Sequence, residues 1–204
     1  MAFIDNLAFS LFTLSFAGLL LFYTIASMYL VYRKRQKNFS EYLNSASVPL
    51  LVVGLYMVLN GLWGQFTWPL PGSYNILFYD PYISFGLLLV SLAVSIRFRI
   101  RLEYSGFLGL MVGIMTIIYG LSGYNLGLTS APIALLGLYF FYGASGILSY
   151  PVALIADRLP GLNKNVWFGW TILLLLFGAA LLAASLLSAF VGVSAIPQHL
   201  LTAP

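Results

Sequence analysis

The chain has 204 residues, 61% hydrophobic and only 7% charged, with a net charge of +4 and a mean hydropathy of +0.97. Soluble domains carry roughly 25% charged residues and disordered chains are poor in aromatics, so this composition, with 17% aromatics, excludes both. Zero cysteines and one histidine exclude disulfide frameworks, thiolate nucleophiles, cysteine-ligated zinc, iron–sulfur clusters and paired-histidine haem.

A helix needs roughly 20 apolar residues to cross a bilayer, and six stretches qualify. The first runs from Leu7 to Tyr32. It opens without a basic segment and is too long for a signal-peptide core, so it reads as a retained span. The second, Val48 to Phe66, contains Val53-Gly54-Leu55 and Asn60-Gly61-Leu62-Trp63-Gly64. An amide embedded in lipid must find partners; Asn60 reads as an interhelical hydrogen bond, with a neutral-ligand site as the alternative.

Between spans two and three lies an apolar, aromatic, proline-rich segment, 67–81. Its candidate ligand or partner residues are Trp68, Pro69, Pro71, Tyr74, Asn75 and Asp80, together with Asn60. Three readings stay open: a lid over the bundle, a partner-docking surface, or an interface anchor. Span three, Pro81 to Ile96, rises only about 24 Å, short of a hydrocarbon layer of roughly 30 Å. Either Arg97 snorkels to the interface or residues 76–79 dip into the membrane. Asp80 reads as an N-cap with Pro81 at the first helical position.

Span four covers Tyr104 to Tyr124, span five Pro132 to Ala156 and span six Val166 to Val193. Span four repeats the pattern of span two: Val112-Gly113-Ile114 and Tyr119-Gly120-Leu121-Ser122-Gly123. Pro81 and Gly86 are spaced like Pro132 and Gly137. A tandem helix hairpin, spans 2–3 and 4–5, is one explanation; similarity arising from Gly, Leu and Val abundance is the other. Gly54 and Gly61, Gly106 to Gly120, and the alanines of span six read as intrachain packing faces. Pro151 removes a backbone donor from span five, and Ser149 is placed to satisfy a freed carbonyl.

All nine basic residues fall in alternate loops, 33–47, 97–103 and 157–165. Positive charge stays cytoplasmic, which predicts both termini outside. Trp167 and Trp170 then mark the inner interface, Trp63 and Trp68 the outer one. The charge distribution reflects topology, not nucleic-acid binding. The five acids, Asp5, Glu41, Asp80, Glu103 and Asp157, all read as span ends or loops, with Asp157 paired to Arg158. Proton pumping, voltage sensing and carboxylate-coupled antiport are therefore not expected. His199 reads as an exposed tail residue, and Met28, Met57, Met111 and Met115 as core fillers. No metal, cofactor or catalytic set is expected.

Trp68-Pro69-Leu70-Pro71-Gly72-Ser73-Tyr74-Asn75-Ile76, followed by Asp80-Pro81, resembles an archaeal multi-pass membrane family, the domain of unknown function nine hundred and eighty-one. The resemblance covers most of the chain and implies an archaeal integral membrane protein, without supplying an activity. The expected fold is all-α: one domain, residues 1–204, a bundle of six transmembrane helices in the cell membrane. The expected function is a non-enzymatic accessory subunit or scaffold. Alternatives are a small transporter or channel for a neutral or weakly charged solute, and a lipid- or quinone-interacting subunit of an oxidoreductase. Expected partners are membrane lipids and other membrane-protein subunits or a second copy of the chain.

Overall fold

The computed structural model describes residues 5–33, 39–129, 131–158 and 164–201; side chains are described for these except 31–33, 39–42, 164–167, 195 and 198–201. The described residues form six helices: α1 (Asn6–Arg33), α2 (Phe39–Thr67), α3 (Tyr74–Phe98), α4 (Glu103–Asn125), α5 (Pro132–Ala156) and α6 (Lys164–Leu201). Each holds a segment long and apolar enough to cross a membrane. The protein is therefore an all-α bundle of six membrane-spanning helices, with no strand among the described residues.

Each helix packs on its chain neighbours, and α6 closes the ring against α1. Lipid supplies no hydrophobic drive between helices, so close backbone approach has to hold them. Glycine provides it. A Cβ on Gly54 would stand 2.9 Å from the Gly86 carbonyl oxygen, and one on Gly86 3.0 Å from that of Gly54. The same reciprocal cross joins α4 to α5: Gly113 to the Gly143 oxygen at 2.5 Å, and Gly143 to the Gly113 oxygen at 2.8 Å. Gly18 of α1 takes the Ser185 hydroxyl of α6 in a similar way.

These crosses correct the register of the repeat. Gly54 and Gly113 do occupy equivalent places, as do Gly61 and Gly120, which face Tyr82 and Tyr139. On the second helix of each hairpin, however, Gly86 corresponds to Gly143. Gly137 instead faces Leu187 of α6. The shared string is Tyr82-x-x-Phe85-Gly86 and Tyr139-x-x-Tyr142-Gly143, not the proline-to-glycine spacing.

The reason lies at the start of α3. The helix begins at Tyr74, so Pro81 is inside it and Asp80 is not an N-cap. Its 25 residues rise about 37 Å, which removes the apparent shortness of span three. Pro81 has no N–H and leaves the Leu77 carbonyl without its helical donor. The Tyr139 hydroxyl donates to that oxygen at 2.7 Å, so α5 repairs α3. Span two also begins earlier than expected, α2 running through Pro49, and α6 continues through Pro197. His199 therefore lies in α6 and not in a tail; its side chain is outside the described residues.

One end of the bundle gathers the described arginine side chains, Arg97, Arg99, Arg101 and Arg158. There Arg97 donates to Asn44 at 3.4 Å and Arg101 pairs with Glu103 at 2.7 Å. Asp157 does not pair with Arg158. Its two oxygens accept the Leu102 and Glu103 backbone N–H groups at 3.0 and 2.9 Å, donors that the N-terminus of α4 leaves open. Ser105 of α4 meets Ser91 and Ser95 of α3 at 3.0 and 2.9 Å. The expected role of Ser149 also changes: it donates to Gly146 and Gly106, not to the Ile147 carbonyl freed by Pro151.

Two side-chain expectations fail on orientation. Trp170 is fully buried, not an interface anchor, and Met111 is exposed, not a core filler. Met28 and Met57 are buried as expected. Trp63 and Trp68 are about half exposed, in keeping with an interfacial belt. The basic residues Lys34, Arg35, Lys37 and Lys164, and Trp167, lie outside the described side chains.

Candidate functional site

The end of the bundle opposite the arginines carries most of the described amide and carboxylate side chains. α2 stops there because Trp68 adopts a left-handed backbone, φ 49°, with its N–H closing on the Gly64 oxygen at 3.0 Å. Six residues later α3 starts, and its first turn brings Asn75 back beneath the connection. Asn75 is fully buried. Its amide donates to the Gly64 carbonyl at 3.3 Å and to Gln65 Oε1 at 3.5 Å, while its Oδ1 accepts the Leu70 N–H at 3.2 Å. One side chain thus pins the connection at three points.

Gln65 passes this network on. Its Nε2 donates to Asp80 Oδ1, and the Tyr119 hydroxyl of α4 donates to Asp80 Oδ2 at 2.7 Å. The result is a chain of contacts from the 68–73 connection through Asn75, Gln65 and Asp80 to Tyr119, joining α2, α3 and α4. Among the described residues no cation pairs with Asp80.

Asn60 is not part of that chain. Its Nδ2 donates to Ser10 Oγ at 2.9 Å, the expected interhelical bond, here between α2 and α1. The buried Tyr82 hydroxyl has no hydrogen-bond partner among the described residues. Asn6 of α1 donates to the Tyr79 hydroxyl.

The proline-rich segment divides in two. Trp68, Pro69 and Pro71 lie in the exposed connection, Tyr74 is half-buried, and Asn75 and Asp80 belong to the network just described. The central cavity, of about 60 Å³, is lined by Phe78, Pro81, Tyr82, Phe85, Tyr139 and Tyr142 among others, and by neither Asn60 nor Trp68. The structure therefore brings Asn75 and Asp80 together and keeps Asn60, Trp68, Pro69 and Pro71 apart from them. Gln65 as a member of this network, and Ser10 as the partner of Asn60, were not anticipated. The one signal was Gln65 itself, an amide flanked by Gly64 and Phe66 in an otherwise apolar run.

The polar groups at this end of the bundle form hydrogen bonds and helix ties; no group of three or more metal-binding side chains occurs among the described residues. No curated protein and no solved structure matches the chain significantly. A family model described as "Protein of unknown function (DUF981)" matches residues 1–202. With a match of that extent, on a bundle of six membrane-spanning helices, the chain belongs to the DUF981 family.

Proposed function

We propose that the protein is a non-enzymatic component of the cell membrane, an accessory subunit or scaffold, with both termini outside. The observation that carries this reading is the fate of the polar side chains inside the spans. Asn60, Asn75, Gln65, Tyr119, Tyr139 and Tyr142 all close hydrogen bonds within the chain; the Tyr82 hydroxyl, on the cavity wall, is the exception among the described tyrosines of the cavity. The central cavity is small and its walls are mainly apolar and aromatic. A solute pathway needs polar groups left free for its cargo, so the transporter reading has less support.

A scaffold is expected to leave native membranes in mild detergent with a second protein in fixed stoichiometry. The same chain in proteoliposomes should pass glycerol and urea no faster than empty vesicles. A chain that purifies alone, or flux that Asn60→Leu and Trp68→Ala reduce, overturns the reading.

One observation favours the lipid-interacting alternative. A groove of about 240 Å³ between α1 and α6, lined by Phe22, Ile25, Ala26, Tyr29, Leu174 and Leu175 among others, fits an apolar chain. Gly178→Leu, which fills it, should then remove a co-purifying lipid or quinone; retention of that molecule would exclude the groove.

A further inference from the structure

Ile76, Leu87, Val94 and Phe98 are all exposed. Their spacing marks the outward stripe of α3. Asp80 and Ile83, at four and seven residues from Ile76, fall on the same stripe and are half-buried. Asp80 lies six residues from the start of α3, about 9 Å along its axis; a hydrocarbon layer of roughly 30 Å centred on the helix places it about 5 Å inside the apolar region. An acid so placed is costly and calls for a counter-charge or water.

Among the described residues no counter-charge stands beside Asp80. The carboxylate receives Gln65 and Tyr119, both uncharged donors. Arg97, the nearest arginine along α3, is 17 residues or about 25 Å away, and it faces Asn44 at the opposite end. A second copy offers no Lys or Arg at that depth either, because all nine fall within residues 33–47, 97–103 and 157–165, at or beyond span ends. Leu62 and Phe66, which flank Gln65 on α2, and Ile118 and Leu121, which flank Tyr119 on α4, are exposed. The acid therefore has apolar borders on both neighbouring helices.

We propose that Asp80 receives a Lys or Arg side chain from a membrane-spanning helix of a different protein chain. Gln65 and Tyr119 hold the carboxylate, and the exposed residues of α2 and α4 border the incoming helix. The long stem of a Lys or Arg lies along such apolar surface while its charged head reaches the carboxylate. This rests on the scaffold reading and names the chemistry of its partner.

The test uses the full chain in phosphatidylcholine vesicles. The probe is a synthetic 20-residue Leu/Ala helix with a single Lys at the depth of Asp80, compared with versions bearing Leu or Glu there. With no native cysteine, Leu126→Cys provides a unique acceptor-dye site for energy transfer from a donor on the peptide. The Lys helix should associate at least tenfold more tightly than the Leu helix, and the Glu helix no better than the Leu helix. Asp80→Asn should abolish the difference and Asp80→Glu should keep it, with both variants eluting like the parent. Equal association of the Lys and Leu helices with the parent chain, or a Lys preference that survives Asp80→Asn, overturns the inference. If Asp80→Asn fails to fold, a peptide with its Lys moved two helical turns from the depth of Asp80 replaces that arm, and a Lys preference of the parent that survives the move overturns the inference. Equal association of the peptides alongside a stoichiometric partner in native membranes sinks this inference alone; a chain that leaves native membranes without a partner sinks the scaffold reading as well.

Discussion

Pro81 and Tyr139 show how a local rule is overruled by a contact 58 positions away. Asp-Pro ordinarily marks a helix start, since proline tolerates the first turn and aspartate caps it. Here the helix begins at Tyr74 because the Leu77 carbonyl, orphaned by Pro81, finds the Tyr139 hydroxyl. No window of sequence around Pro81 contains that information, and so Asp80 reads as a cap when it is a half-buried acid inside the span. Removing the hydroxyl should be informative. Tyr139→Phe leaves a buried carbonyl unpaired and should cost about 1–3 kcal/mol, measurable as a lower unfolding midpoint in detergent. Adding Pro81→Ala, which restores the backbone donor, should recover much of that loss. Equal losses with and without Pro81→Ala would contradict the pairing. Asn60 was legible, because any amide in lipid needs a partner; Trp170 was not, because its position near a span end does not reveal which way it faces.

At the scale of elements, small residues reveal where helices touch but not in which register. Gly54, Gly61, Gly113 and Gly120 were readable as packing positions, since only their lack of a Cβ lets backbones approach in a solvent that does not push helices together. The matching of their partners depended on the length of α3, which the sequence understates at Pro81. The Gly113–Gly143 cross is the tighter of the two, with 2.5 and 2.8 Å to carbonyl oxygens that cannot step aside. Gly113→Ala should therefore destabilise the α4–α5 hairpin by about 1–3 kcal/mol, as overpacking does elsewhere. Gly169→Ala, with nothing within 4 Å of the added atom, should be neutral or gain up to about 1 kcal/mol from helix propensity. Thermal unfolding of the two variants beside the parent checks both; equal effects would contradict the packing argument.

For the whole molecule, composition alone exposed the six spans, because length and hydropathy are the two quantities that crossing a bilayer requires. The carboxylate–amide network was only half legible. Asn75 and Asp80 stood out by residue type, whereas their link through Gln65 to Tyr119 depends on the way α2, α3 and α4 stand side by side. The sorting of all nine basic residues into the alternate stretches 33–47, 97–103 and 157–165 predicts a polarity of the bundle that the scaffold reading and the Asp80 contact both use. That one-sided, six-span arrangement is tested most directly by labelling single cysteines with a membrane-impermeant maleimide in intact cells, using the cysteine-free chain as background. Ser73→Cys, Leu126→Cys and Ile100→Cys lie at exposed positions between helices. Positions 73 and 126 should react in intact cells, and position 100 only after the membrane is opened. Labelling of 73 and 126 from opposite sides, or of 100 from outside, would contradict it.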